Sequence, residues 1–596
     1  MPAAANEQLP VNDHAQRPTR SLDVSRPDGV LRRLAVGFAL IAVASALCRK
    51  ANGSSVLPTA IELTIQLSAA VGWLIAIGKA GQHARGDTFI AGLATIAGVT
   101  AATLSGRVEI IGLTVTGYVA LRSLVDWLVD RLAMIETTLH HPRRLLRAIM
   151  PHWFGMVLFN GILLALPIAT QSGVPDYRHN FLNHVLDSLF ASVSAACLVG
   201  TTIQSFAEDY TLFGQAVLVA TTQIAGMAFA LLGLSIARPF LSRPLSALTI
   251  LWAAVLCQIA AIVMMASAWH LDDASSVPSR IWWSIVYAGS ALWNSGLAAR
   301  TDGLAAYFAD FRILVTVTTL AIVGSLGLPF LLDLILPQPR ADSPKDSGTS
   351  GPTQGEANLS ARLRRLPEFE TLAATFLLAT GAILLWYFEH PLSKTAAVAP
   401  ARAMESMEDR VSLSDAPASQ RWAISLLVSS MLRSAGIQSV PVSIGSISWF
   451  TFSLMLVLMF IGGSAAGVGG GVRTGIGTLW WLMRGTARTD TAAIALRRTL
   501  QSQIAKFVCA AVVINAAAVG ACVLVTGSTW YESGIEATAA VGNVGFSTGL
   551  SLHLTPTGRF MMIGLYMVGR FGPVIFWLSV SDTVRRATTR DPDRSA

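Results

Sequence analysis

The sequence predicts an all-α membrane protein. Four copies of one motif (a long apolar span, a short half-apolar segment and a second long span) follow about four additional transmembrane helices. Three observations carry this prediction. Of the 596 residues, 53% are hydrophobic and only 13% charged, where a soluble domain carries about a quarter charged residues, and the mean hydropathy is +0.55. The apolar residues gather into runs long enough to cross a bilayer, which takes roughly 20 residues. A glycine-centred segment recurs four times between the later runs, the mark of an internal repeat.

The elements follow in order. Residues 1–29 are polar and read as a cytoplasmic tail, with no cleavable signal peptide expected at the start. Four leading spans are expected within 30–147, at about 30–48, 56–79, 87–105 and 107–130. The first unit, 148–238, has its long spans at about 148–170 and 211–237. The second, 239–336, has them at about 246–269 and 309–336. Residues 337–365 read as a flexible cytoplasmic linker, because Pro337–Ser360 is rich in Pro, Ser, Gly and charge and cannot bury enough apolar surface to fold. The third unit, 366–484, has spans at about 367–388 and 446–483, with the polar stretch Glu389–Gln420 outside the membrane. The fourth, 485–582, has them at about 505–526 and 556–580, and 583–596 is a second cytoplasmic tail.

The net charge of +8 does not imply nucleic acid, since the basic residues sit in short clusters between apolar runs. Arg17–Arg33, Arg143–Arg147, Arg362–Arg365, Arg484–Arg498 and Arg585–Arg594 fall on one side if the spans alternate. By the positive-inside rule that side, with both termini, is cytoplasmic, although Arg49 and Lys50 fall on the other. The expected location is the cell (inner) membrane, with lipid as the surrounding partner. Cys48, Cys197, Cys257, Cys509 and Cys522 lie within or at the edges of apolar runs and form no CxxC, so they read as buried thiols.

The four short segments align on Gly200, Gly296, Gly436 and Gly545, each with a small residue six positions earlier: Ser194, Ser290, Ser430 and Ala539. A dehydrated cation needs oxygen ligands all round, and a ring of backbone carbonyls supplies them without a fixed charge that would trap it. Aiming successive carbonyls inward needs dihedrals that glycine adopts at little cost. Irregular backbone at membrane depth survives only inside protein or beside a water-filled cavity. A short helix that enters, turns at glycine and leaves as coil meets these conditions, and four around one axis make a filter.

About 25 residues after each of these glycines, the following span carries small residues: Gly226; Gly324 and Gly327; Gly462 and Gly463; Gly569 and Gly572. Close helix approach explains three of these clusters. The third continues as Ser464-Ala465-Ala466-Gly467-Val468-Gly469-Gly470-Gly471-Val472, which should break the helix. A nucleotide-binding glycine loop is excluded by the missing strand and the Val472 that spoils GxGxxG spacing.

These residues resemble the Trk/Ktr/HKT superfamily of potassium transporters over about residues 148–582. Arg433-Ser434-Ala435-Gly436-Ile437-Gln438-Ser439 is similar to the family pattern R-T-A-G-F-N-T, Met459–Ser464 leads into a similar glycine-rich run ending at Arg473, and Gly569-Arg570-Phe571-Gly572-Pro573 is similar to G-R-x-G-P. The resemblance implies four M1–P–M2 units around a central pore and no enzyme activity. It implies a selectivity filter at Val199, Gly200, Thr201, Ser295, Gly296, Ala435, Gly436, Val544 and Gly545. It further implies a gating loop at Ala466, Gly467, Val468, Gly469, Gly470, Gly471 and Arg473, with Arg570 as the charge facing it. The transported ion would be K+, with no bound cofactor and no structural metal. The expected partners are a second copy of the chain and a cytosolic ring of nucleotide-binding RCK subunits. The sequence departs from the family at Leu198-Val199, at Trp293 and at Ala466-Gly467-Val468. These departures leave open a weakly selective Na+/K+ pathway and a non-conducting scaffold.

Arg433 precedes a filter glycine and would either repel cations locally or cap its short helix. Asp187, Glu532 and Glu536 lie at or near the short-helix starts, where they would stabilise the helix dipole, attract cations, or both. His140-His141 has no further ligands nearby and reads as loop. No triad, paired carboxylates or phosphate loop with lysine is present to support an enzyme.

Overall fold

The computed structural model describes residues 136–139, 141–171, 181–269, 276–300, 304, 307, 310–336, 361–388, 418–437, 449–484 and 491–588. The four leading spans, residues 337–360 of the linker and the polar stretch 389–417 lie outside them. The remainder of the expected linker, 361–365, is already a helical turn that runs into the next span.

Each unit has the predicted order. The first contains α1 (Pro142–Ala165), the short helix α2 (Phe181–Ala196) and α3 (Leu212–Ala237). The second contains α4 (Ala247–Ala266), the short α5 (Val277–Trp293) and a divided second span, α6 (Phe311–Leu326) and α7 (Leu328–Ile335). The third contains α8 (Leu366–Phe388), the short α9 (Ala418–Ser430), then α10 (Trp449–Phe460) and α11 (Gly475–Arg484). The fourth contains α12 (Thr491–Thr526), the short α13 (Trp530–Gly542) and α14 (Pro556–Thr588). Helix starts are chemically marked. Thr211, Ser246, Ser276 and Asp310 accept from backbone amides one turn in, and Thr529 with Glu532 forms a reciprocal capping box.

Packing makes the four units a ring. Within each, the first span lies on the short helix and the short helix, or its terminal turn, on the second span. Each second span also meets the next unit's short helix: α3 on α5, α6 on α9, α10 on α13, and α14 back on α2. The first spans form the outside. Phe159 and Ile162 of α1, Leu256 and Val263 of α4, Leu372 and Phe376 of α8, and Val513 and Leu524 of α12 are large, apolar and exposed. Such a surface requires lipid rather than water. Among the described residues six helices are long and apolar enough to span a membrane, seven with the divided span counted once. The chain is a multi-pass membrane protein.

Two breaks in the second spans place the site. The predicted glycine break is present, with α10 stopping at Phe460 and α11 starting at Gly475. Between them β1 (Ile461–Gly462) and β2 (Val472–Arg473) pair in parallel and close a loop. The other break is absent from the sequence reading, which has 309–336 as one run. The chain bends 95° between α6 and α7 at Gly327, whose φ is +86°. A β-carbon there would overlap the Ala466 carbonyl of the third-unit loop, so the bend makes room for that loop.

Candidate functional site

The short helices deliver the four predicted glycines to one place. Gly200, Gly296, Gly436 and Gly545 have φ of +80°, +68°, +59° and +79°, the left-handed region open to glycine. A β-carbon on Gly200 would overlap the Ser295 carbonyl oxygen, and one on Gly296 would overlap the Val199 oxygen and lie 3.4 Å from the Ala435 oxygen. On Gly436 it would overlap the Val544 oxygen, and on Gly545 the Val199 oxygen. The contacts therefore run first to second, second to third, third to fourth and fourth to first. At each step the carbonyl of the residue before one of these glycines abuts the neighbouring segment. Val199, Ser295, Ala435 and Val544 thus contribute a closed ring of carbonyl dipoles, with Thr201 continuing the chain beyond Gly200. Among the described residues no three His, Cys, Asp or Glu cluster as a metal site.

Local hydrogen bonding explains why the chain turns here. In the first, second and fourth units the amides of Val199, Ser295 and Val544 donate to the carbonyls of Ser194, Ser290 and Ala539, at 2.9 Å each. Leu198, Asn294 and Asn543 donate to Ala195, Ala291 and Ala540 at 3.1, 3.3 and 3.1 Å. This double bond pattern is the Schellman ending, with the left-handed residue at φ +57°, +53° and +50°. Asparagine tolerates that conformation, whereas leucine is strained there by about 1–2 kcal/mol. The third unit differs: Met431–Ala435 is a π-helical turn and Gly436 donates to Met431 at 3.0 Å.

The two asparagines were missed in the sequence, although N-x-G recurs at 294–296 and 543–545. Asn543 Nδ2 donates to Tyr566 O at 3.1 Å and to Cys197 O at 3.4 Å, tying the fourth turn to the first. With its amide oriented to satisfy its neighbours, Asn294 donates to Ala321 O at 3.3 Å and accepts from Ser325 N at 3.0 Å.

The third-unit loop touches the second spans of all three other units. Ala466 abuts Gly233 of α3 and Gly327, the Val468 amide donates to Gly324 O at 3.1 Å, and Ser464 N donates to Ser325 O at 2.8 Å. Gly470 rests on Gly542 O and Asn543, at the end of the fourth short helix. The loop therefore crosses the bundle next to the ring of filter segments. Arg570, 1% exposed on α14, donates to Val468 O, and its Cζ stands 4.0 Å from the centroid of the Phe229 ring. Gly469 and Gly471 complete the chain back to Arg473, which donates to Ala465 O.

Glu370 was also missed. It lies in the first turns of α8 and is wholly buried. Its Oε2 accepts from Ala465 N at 3.0 Å. A single loop residue, Ala465, is thus held by a carboxylate at its N–H and by Arg473 at its C=O.

Arg433 does not cap its own short helix. It donates to Ala374 O of α8 at 3.0 Å and to Gly462 O of β1 at 3.2 Å, and to no carbonyl of its own helix. Asp187 lies within α2 and pairs with Arg559 at 2.6 Å. Glu532 closes the α13 capping box, and Glu536 turns inward to residues after the filter.

The departure at Trp293 has a visible compensation. Its indole lies against Gly226, where a β-carbon would overlap the ring, and Nε1 donates to Gln223 Oε1 at 2.5 Å. Gln223 is held in turn by Gln258 at 3.1 and 3.0 Å. Gly324 and Gly569 likewise abut the carbonyls of Leu292 and Val541 at short-helix ends, as close packing of small residues predicts.

Residues 241–581, more than half of the chain, match the family described as TrkH, cation transport protein. The potassium/sodium uptake protein NtpJ of Enterococcus hirae is 25% identical over 478 residues, covering 74% of this chain and 94% of that protein. The Ktr system potassium uptake protein B of Vibrio alginolyticus is 22% identical over 72% of this chain and 89% of its own length. The protein of the same name in Bacillus subtilis is 23% identical over 74% and 94%. The crystal structure of the potassium transporter TrkH from Vibrio parahaemolyticus covers 83% of this chain and 97% of its own, at 14% identity and a TM-score of 0.49.

Proposed function

The chain belongs to the TrkH family of cation transport proteins, and from that premise we propose that it takes up K+ across the cell membrane. The ion passes a filter made by Val199, Gly200, Thr201, Ser295, Gly296, Ala435, Gly436, Val544 and Gly545. The observation that carries this reading is the closed order of contacts among four left-handed glycines. Neutral carbonyl dipoles can replace a hydration shell without binding so tightly that the ion stays. The names of the relatives, potassium and potassium/sodium uptake proteins, support the same substrate. The loop Ala466–Gly471 with Arg473 is the gate, and Arg570 holds it shut.

The unit boundaries at 148–238, 239–336, 366–484 and 485–582 belong to this proposal. So do cytoplasmic termini, a homodimer, and a nucleotide-binding RCK ring on the cytoplasmic loops. Growth of a potassium-uptake-deficient host at low external potassium tests the proposal. The chain restores growth and Gly545→Ser does not. No growth with a well-expressed wild-type chain in the membrane counts against it.

A second reading is a pathway that admits Na+ as well. The name of one relative, a potassium/sodium uptake protein, favours it. Competition of Na+ with labelled Rb+ uptake separates the two.

A further inference from the structure

Glu536 is 3% exposed, in the middle of α13, nine residues before Gly545. The same position in the other short helices holds Ala191, Tyr287 and Leu427, all fully buried. Three units thus place an uncharged side chain here, and the fourth buries a carboxylate.

Every hydrogen bond found for that carboxylate among the described residues goes to the segment leaving the filter. Oε1 accepts from Ser547 Oγ at 2.5 Å, from Thr548 N at 2.8 Å and from Thr548 Oγ1 at 3.1 Å, and Oε2 accepts from Ser551 Oγ at 2.9 Å. Ser547 Oγ also accepts from Gly549 N at 3.0 Å. An ionised carboxylate is acceptor-only, and all four partners are donors, so the set is complementary. Bonds of this charge-assisted kind are roughly twice as strong as neutral ones. No cation pairs with Glu536 among the described residues. The stretch leaving the first filter segment is built differently. Thr202 donates to Gln204 O at 2.6 Å and Ser205 N to Asp209 at 2.7 Å, both within that stretch and neither to α2.

We propose that Glu536 is a positioning residue for ion selection. It staples the exit segment Ser547–Ser551 to its own short helix and so fixes the Val544 and Gly545 carbonyls at the spacing that suits K+. Val544–Gly545 lies within the loop closed by Glu536 at one end and Thr548 at the other. The Val544 oxygen abuts Gly436, so slack in this loop reaches the third segment as well. The inference rests on the filter reading above.

Two readouts on the full-length purified chain test it. The first is the melting temperature in K+ against Na+ at equal ionic strength, which reports filter occupancy without transport. The second is the ratio of Rb+ to Na+ uptake into proteoliposomes. The wild type melts later in K+. Glu536→Gln, which keeps one acceptor oxygen, shrinks that difference, and Glu536→Leu abolishes it. In the same variants the uptake ratio falls, on the order of tenfold for Leu, while total cation uptake persists; tenfold corresponds to about 1.4 kcal/mol. Ser551→Ala, which removes one donor from the other side, falls between wild type and Glu536→Gln. If Glu536→Leu does not fold, the other two variants decide, and an unchanged melting difference and uptake ratio in both overturns the proposal. A wild type stabilised by K+ that moves no ions refutes transport but leaves the role of Glu536 standing. A wild type indifferent to K+ in both readouts overturns both.

Discussion

Replacing Arg570 by methionine tests the gate. The guanidinium is buried and donates to Val468 O of the loop, while its Nε and Nη2 have no hydrogen-bond partner among the described residues. The contact with Phe229 lies within the second spans and does not involve the loop. Only the bond to Val468 therefore discriminates a loop in place from a loop displaced. A hydrogen bond to a charged group contributes roughly 1.5–3 kcal/mol. Taking about 2 kcal/mol, its loss shifts the closed-to-open ratio about thirtyfold. The fold should not suffer in proportion, since a buried cation with two unmet donors is costly and methionine of similar length is not. The expected signature is Rb+ uptake into proteoliposomes that rises toward thirtyfold with no added nucleotide, at an unchanged or higher melting temperature. Unchanged uptake in a folded variant refutes the claim that Arg570 holds the loop. Diminished uptake would assign it to conduction instead.

Further outcomes follow from the same geometry. Gly226→Ala drives a methyl group into the Trp293 ring and should destabilise by about 1–3 kcal/mol. Trp293→Leu in the same chain should recover most of this, whereas additive losses in a double-mutant cycle would contradict the contact. At Leu198 the left-handed backbone is harder still for a β-branched side chain. Leu198→Val should therefore lower the melting temperature clearly more than Leu198→Asn, and equal effects would dismiss the strain. Glu370→Leu leaves the Ala465 amide without its acceptor and should cost roughly 3 kcal/mol or more. Glu370→Gln keeps an acceptor and should cost about 1 kcal/mol. Chemical denaturation resolves the two.

How much of this was legible in the sequence varies by residue. The four glycines were, because a left-handed turn inside an apolar run leaves few alternatives and recurs in register. The break between Phe460 and Gly475 was, because so dense a glycine run cannot remain helical. The bend at Gly327 was not, since a lone glycine in a long apolar run is common, and its cause is a loop about 140 residues away. Glu370 belongs to no motif in the sequence, and its partner is 95 residues distant. Trp293 read as a departure from the family until Gly226 appeared opposite it. Arg433 was assigned by its distance from Gly436 along the chain, and its true partners lie on α8 and β1. Local backbone demands show in one sequence; pairings between units do not.

The most direct test of the pore is the ratio of K+ or Rb+ to Na+ uptake by the purified chain in proteoliposomes, measured for the wild type and for serine at each filter glycine. The ring of contacts leaves no room for a β-carbon at Gly200, Gly296, Gly436 or Gly545. The account predicts that the wild type favours K+ and that Gly200→Ser and Gly545→Ser change the ratio or abolish uptake. Uptake ratios unchanged by all four substitutions, in protein that is folded and active, would contradict it.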